Sequence, residues 1–348
     1  MIIVLGIMAG LYLLGRVMGA SQTARLMLPG LVSLAVLLIQ ATLPAGNTLK
    51  EATGGSLQNW LIILGVAVLV LAYRFGLSKL RARHDETEAK AAPQQGPFSE
   101  AELDRYARHI VLREVGGPGQ KKLKDAKVLV VGAGGLGAPA LQYLAAAGVG
   151  TIGIIDDDIV SVSNLQRQVI HRDADLGRAK VASATDALKA QNPHIAVLGY
   201  TRRLEAEIAE ELIAEYDLVL DGSDNFDTRY LVNAACVAAG VPLVSAAITQ
   251  WEGQISLYDP ANGAPCYACV FPKAPDRELV PTCAEAGVIG ALPGVVGSMM
   301  AAEAIKWITG AGETLSGRLL IYDALYAETR VIKIAKRDDC ETCGLARG

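Results

Sequence analysis

No cysteine occurs before Cys236, so a disulfide framework spread through the chain is excluded. Aromatic residues make up only 5% of the 348 positions, and the net charge of −4 comes with no basic stripe. Both shortages point away from nucleic acid as a partner. There is no G-x-x-x-x-G-K-[ST] loop, which disfavours a P-loop kinase or ATPase. Histidine is scarce as well. Of four, His84 lies in a charged stretch and none sits in a recognisable dehydrogenase motif. An NAD-dependent oxidoreductase would usually need such an acid or base.

What is present is unevenly placed. The 51% hydrophobic content averages a very apolar first quarter with an ordinary soluble remainder. Met1–Gly15 carries no charge until Arg16. Leu26–Ala45 is apolar apart from Ser33, Gln40 and Thr42, and Leu57–Leu77 is centred on "WLIILGVAVLVLAY". Each run approaches the roughly 20 residues that cross a bilayer. No cation precedes the first run and two more follow it, which argues against a secretory signal. Arg16 and Arg25 separate the first two runs, and only Lys50, beside Glu51, separates the second and third. Arg74, Lys79, Arg81 and Arg83 follow the third. The positive-inside rule then makes residues 1–80 a multi-pass region of about three transmembrane helices in the inner (cytoplasmic) membrane. The N-terminus lies outside, and the remainder is cytoplasmic. Buried soluble helices are the competing reading. Residues 81–97, including "ARHDETEAKAAPQQGP", read as a solvated linker.

Residues 98–348 change character. "FSEAELDRYARHIVLREVG" reads as a helix with Ser99 and Glu102 in capping-box spacing. Strands are predicted at Lys127–Gly132, Thr151–Asp156, Ala196–Tyr200, Asp217–Asp221, Pro242–Ala247 and Gly253–Tyr258. Helices are predicted at Ala138–Ala147 and near Arg178–Gln191, Glu205–Glu215 and Phe226–Ala239. That alternation implies an α/β, Rossmann-like, doubly wound and mostly parallel sheet. Arg318–Tyr322 and Arg330–Ala335 suggest an added antiparallel element. "AGVIGALPGVVGSMMAAEAIKWI" reads as a buried helix rather than a further span, because it carries Pro293, Glu303 and Lys306 inside the α/β pattern.

The chemistry concentrates in a few stretches. In "KVLVVGAGGLGAPALQYLAAAGVGTIGIIDDD" a strand feeds Gly132, Gly134 and Gly137 into a helix N-terminus, a cradle for phosphates. Asp156 ends the next strand, where a carboxylate can accept ribose hydroxyls. Asn164, Gln166 and Arg167 follow, and then Lys180. Arg167 and Lys180 suit a reaction that builds negative charge on a triphosphate, although singly each also reads as a surface cation. Asp221, Asp224 and Asn225 stand at the end of a predicted strand. There a carboxylate could help hold Mg²⁺, or Asp224 or Asn225 could simply cap the next helix. Cys266-x-x-Cys269 and Cys340-x-x-Cys343 supply four thiolates, the composition of a closed structural Zn²⁺ site that clips the chain end onto the domain. Redox disulfides or an iron–sulfur cluster are the alternatives. Cys283, in "LVPTCAEAGV", is either a nucleophile or a small buried residue, and Cys236 reads as helix core.

Taken together, "RYARHI", "GAGGLG", "DDDIVSVSNLQRQ", "GRAK", "DGSDN", "EGQI", "PCYAC", "TCAEAGV" and "CETCG" resemble the molybdopterin-synthase and thiazole-biosynthesis adenylyltransferases, bacterial relatives of ubiquitin-activating enzymes. The resemblance runs from about Phe98 to Gly344. It implies ATP over Gly132, Gly134, Gly135 and Gly137, with Asp156 on the ribose. Asn164, Arg167 and Lys180 would meet the phosphates, and Asp224, with Asn225 beside it, would work with Mg²⁺. Arg108 would reach the ATP site of a second copy in a homodimer. The implied substrate is the C-terminal Gly-Gly carboxylate of a ubiquitin-like sulfur carrier, adenylated with release of pyrophosphate. In some relatives a cysteine matching Cys283 joins in the later transfer, and in others it is dispensable. Soluble relatives lack the three apolar runs. No sulfurtransferase domain follows Cys343, so the resemblance implies a separate sulfur donor. A membrane scaffold that keeps the fold without catalysis is the non-enzymatic alternative.

Overall fold

The computed structural model describes residues 1–19, 21–44, 46–54, 56–91, 96–275 and 286–344. They form two compact units, Met1–Gln94 and Gln95–Gly348.

The first unit comprises helices α1 (Ile2–Val17), α2 (Gln22–Thr42), α3 (Thr48–Thr53) and α4 (Leu57–Ala91). Its small core gathers Val4, Val36 and Trp60, with Leu5, Met8, Val32, Leu37 and Ile63 against them. The Trp60 indole N–H donates to the Gly54 carbonyl at 3.0 Å. Gln40 Nε2 donates to the Lys50 carbonyl at 3.0 Å and to Thr53 Oγ1 at 2.9 Å, which ties short α3 to its neighbours. On α4, Leu61, Ile62, Val66 and Leu69 are exposed. Leu57–Lys79 is a 23-residue span of mean hydropathy 2.2, long and apolar enough to cross a membrane. Ile2–Val17 and Met27–Thr42 are apolar but shorter. The helix does not end where a linker was predicted: α4 runs on to Ala91. "ARHDETEAKA" is mostly Ala, Arg, Glu and Lys, all strong helix formers, and no glycine or proline interrupts it before Pro93.

The second unit opens with α5 (Glu100–Ile110), α6 (Gly116–Asp125), β1 (Lys127–Val131), α7 (Gly137–Ala147), β2 (Thr151–Ile155) and α8 (Val162–Leu165). It continues with α9 (Lys180–Gln191), β3 (Ala196–Tyr200), α10 (Ala206–Ile213), β4 (Leu218–Asp221), α11 (Phe226–Ala239), β5 (Leu243–Thr249) and β6 (Glu252–Tyr258). The last elements are α12 (Tyr267–Val270), α13 (Ala291–Thr309), β7 (Arg318–Asp323) and β8 (Glu328–Lys333). The capping box that starts α5 is complete: Ser99 Oγ accepts from the Glu102 amide, and the Ser99 amide donates back to the Glu102 carboxylate. Helix α6, which begins at Gly116, Gly117 and Pro118, had no counterpart among the helices predicted from the sequence. Proline is tolerated in a first helical turn, where its missing N–H has no partner to lose.

Among the described residues eight strands form one sheet in the order β3-β2-β1-β4-β5-β6-β7-β8. The pairs from β3 through β5 are parallel, and those from β5 through β8 are antiparallel, the added element foreseen from the sequence. Period-two alternation splits β1 between two cores. Val128 and Val130 join α7, α9 and α13 on one face, while Leu129 and Val131 join α10 and α11 on the other. Helix α13 belongs to that interior, with Leu292, Val296, Met300 and Ala304 buried. The strand order reverses between β1 and β4, and ligands of open α/β sheets bind at the carboxyl ends beside such a reversal.

Candidate nucleotide site and thiolate cluster

The reversal brings two loops together. Gly132 leaves β1 at φ +91°, a conformation that side-chain-bearing residues rarely adopt. A Cβ on Gly137 would stand 1.9 Å from the Gly132 carbonyl oxygen, so only glycine lets α7 start this close to β1. Across the switch point, a Cβ on Gly132 would meet the Gly222 carbonyl at 3.3 Å. The glycine loop therefore abuts the loop that carries Asp224. Asp156 braces it from β2: Oδ2 accepts from the Ala133 amide at 2.7 Å and Oδ1 from the Asp158 amide at 2.8 Å.

The two predicted cations are paired with neighbouring groups. Lys180, at the start of α9, is buried, and its Nζ donates to Oδ2 of exposed Asp158 at 2.8 Å. Arg167 is half-buried just beyond α8. Its guanidinium donates to the Ser163 carbonyl at 3.1 Å and to Asn164 Oδ1 at 3.0 Å. Asp224 is exposed on the β4–α11 loop. Asn225 caps α11, its Oδ1 accepting from the Thr228 amide at 2.9 Å. Asp221 is wholly buried and structural. It accepts from the Ser223 amide and hydroxyl at 2.9 and 2.6 Å and from the Ser245 hydroxyl at 3.0 Å, with Arg229 at 3.5 Å. Arg229 also donates to the carbonyls of Ala246 and Ser223, clamping the Asp224 loop to β5. Arg108 is exposed on α5, and Cys283 lies outside the described residues.

Two contributors were not legible in the sequence. Asp158 was one acid among three until its pairing with Lys180 was seen. His171 is buried, with Nε2 2.9 Å from the Ala133 carbonyl and Nδ1 2.9 Å from the Ser183 hydroxyl. Burial, together with nearby Lys180, holds its pKa below the ordinary histidine value. The neutral imidazole donates from Nε2 to Ala133, so Asp156 and His171 fix both polar groups of that residue. The only sequence signal for this was a histidine closing "NLQRQVIH".

The four paired cysteines converge far from the glycine loop in sequence. Cys266, Cys269, Cys340 and Cys343 are all buried and unbridged, with sulfur contacts of 3.9, 3.6 and 3.4 Å. Four thiolates about 2.3 Å from a tetrahedral zinc lie about 3.8 Å apart, so this donor set fits Zn²⁺. The Asn233 amide donates to Cys266 Sγ at 3.8 Å and the Arg337 backbone N–H to Cys269 Sγ at 3.5 Å, partners that orient the sulfurs. Burial pushes the Cys266 thiol well up. At Cys340 burial also acts upward, but the backbone N–H groups of Cys343 and Thr342 outweigh it and bring the thiol to about 7. Cys236 is buried in α11 and takes no part in the cluster.

Residues 106–342 match the model of the ThiF family, and the chain belongs to that family. It is 51% identical over 251 residues to the sulfur carrier protein adenylyltransferase of Thermus thermophilus, covering 71% of this chain and 93% of that one. It is 54% identical over 242 residues to the probable adenylyltransferase/sulfurtransferase MoeZ of Mycobacterium tuberculosis, covering 69% of this chain but only 62% of that protein. Among solved structures, Escherichia coli MccB with MccA-N7isoASN superposes with a TM-score of 0.62 at 26% identity, over 69% of this chain and 75% of that one.

Proposed function

We propose that this member of the ThiF family adenylates the C-terminal Gly-Gly carboxylate of a ubiquitin-like sulfur-carrier protein for molybdopterin- or thiamine-type cofactor biosynthesis. The observation that carries the reading is the strand reversal at which the glycine loop, braced by Asp156, abuts the Gly222–Ser223 turn and has Arg167 beside Gly135. The carrier carboxylate oxygen attacks the α-phosphorus of ATP, the bond to the bridging oxygen of the β-phosphate breaks, and pyrophosphate leaves. An acyl-adenylate remains on the carrier. The nucleophile is already ionised, so the protein needs no general base, only positioning and charge stabilisation. Lys180 exchanges Asp158, and Arg167 exchanges Asn164, for phosphate oxygens on which charge develops. Asp156 holds the ribose as well as the loop. Mg²⁺ bound beside Asp224 would neutralise charge on the triphosphate.

Several features extend this reading. Arg108 completes the ATP site of a second copy, making the working unit a homodimer. The Cys266–Cys343 cluster holds structural Zn²⁺. Residues 1–80 anchor the enzyme in the inner membrane with the catalytic unit in the cytoplasm. The 23 residues of Leu57–Lys79 reach about 35 Å as a helix, against about 30 Å of hydrocarbon. A separate protein donates the sulfur. The test is exchange of labelled pyrophosphate into ATP by the full chain. Exchange that depends on a Gly-Gly-ended carrier is expected, and no exchange with any such carrier, from folded protein, would overturn the reading.

A further inference from the structure

One buried polar atom beside the glycine loop has no hydrogen-bond partner among the described residues. Gln168 follows Arg167 in the turn after α8 and is only 4% exposed. Its Oε1 is buried and accepts no hydrogen bond. Its Nε2 lies over the loop, 3.5 Å from where a Cβ on Gly134 would stand. The backbone around it is regular: the Gln168 amide donates to the Asn164 carbonyl at 3.0 Å, and the Gln168 carbonyl accepts from the His171 amide at 3.1 Å. The main chain is thus fully used while the side chain is not.

A buried amide with an unmet polar end destabilises a fold, and natural interiors retain few of them. An apolar residue of the same shape, methionine for instance, would fill the space without that penalty. The side chain also sits where Gly134 bares its backbone to whatever the loop holds. A carboxamide is neutral, so it can enter this crowded cationic corner without competing with Arg167 or Lys180 for charge. Its N–H₂ donates to an anionic oxygen, and its carbonyl accepts from water carried in with a hydrated phosphate.

We infer that Gln168 is a further nucleotide-contact residue, whose Nε2 donates to a phosphate lying over Gly134 while its Oε1 accepts from a water that enters with the ligand. The inference rests on the ATP reading given above and deepens it. Gln168 works as a further phosphate ligand alongside Arg167 and Lys180, adding a neutral donor. The free enzyme carries the unmatched Oε1 as a stability cost that the water arriving with the ligand removes.

The test compares the full wild-type chain in mild detergent with Gln168→Met, measuring ATP affinity by calorimetry and the melting temperature without ligand. Losing a hydrogen bond to a charged group weakens binding about 10- to 100-fold. The variant is therefore expected to bind ATP at least about tenfold more weakly while melting at or above the wild-type temperature. A merely structural amide would give the opposite pattern, with a lower melting point in the ligand-free variant. The inference is overturned if Gln168→Met binds ATP as wild type does, or if its ligand-free melting temperature falls. If the wild-type chain binds no ATP, the underlying reading falls with it.

Discussion

The second unit contains two constellations of reactive side chains, and they are built on opposite plans. The thiolate cluster is closed: four buried sulfurs face one another, with no position left for a substrate. The nucleotide edge is open. Its cations are paired locally, Lys180 with an exposed aspartate and Arg167 with a neighbouring amide and carbonyl, and the Gln168 side-chain Oε1 accepts no hydrogen bond among the described residues. A closed set of ligands gives its free energy to the fold. An open set keeps part of its bonding capacity for a ligand, at some cost to the fold. Damage to the two should therefore differ in kind.

The largest effect is expected at the closed site. Cys266→Ser removes one of four ligands and leaves three buried thiols, so the melting temperature should fall by roughly 10 °C or more, with activity lost through unfolding. Calorimetry with and without a zinc chelator checks this, and the chelator should have no further effect on the variant. Next comes the open site. Lys180→Ala should slow carrier-dependent pyrophosphate exchange by about 10²- to 10³-fold, the usual cost of removing one oxyanion ligand. Its melting temperature should stay near wild type, because Asp158 is already in water. His171→Ala sits between the two plans, since it leaves the Ala133 carbonyl without its donor and loosens the loop. A rise of about tenfold in the KM for ATP is expected, with a smaller change in kcat.

The smallest effect lies outside both sites and calibrates them. Glu102 is buried against Lys124 at 2.7 Å. Burial alone would raise its pKa, but Lys124 and the Ser99 hydrogen bonds outweigh that and hold it at about 2, below its ordinary 4.5. A depressed carboxylate stabilises the fold above its unfolded pKa and loses that contribution as pH falls through the folded one. Glu102→Gln should cost about 2–4 °C at pH 7. The gap to wild type should then close between pH 4.5 and about 2, as a melting series across that range would show.

How much was legible beforehand follows the same division. The closed site could be read from spacing, because two C-x-x-C pairs name their own partners. Strand positions came through as well, since β1, β2 and β3 announce themselves as short apolar runs between glycines and helices. The open site was legible only as a roster. Arg167, Lys180 and Asp224 could be named, but not that Lys180 leans on Asp158, or that Arg229 clamps the loop bearing Asp224. Those pairings join residues 22 and 6 positions apart. Tertiary geometry sets them, and no local periodicity does. Helix α6 and the helical course of residues 82–91 were missed for a different reason. Glycine, proline and charge usually signal irregular chain, and here the surrounding helix formers prevail.

The most direct measurement is intact-mass spectrometry of a Gly-Gly-ended carrier incubated with the full chain, ATP and Mg²⁺. A carrier species heavier by one adenylyl group should appear with wild-type protein. It should be absent when the carrier lacks its terminal glycines, and nearly absent with Lys180→Ala. An unmodified carrier in the presence of folded, ATP-binding wild-type protein would contradict the account.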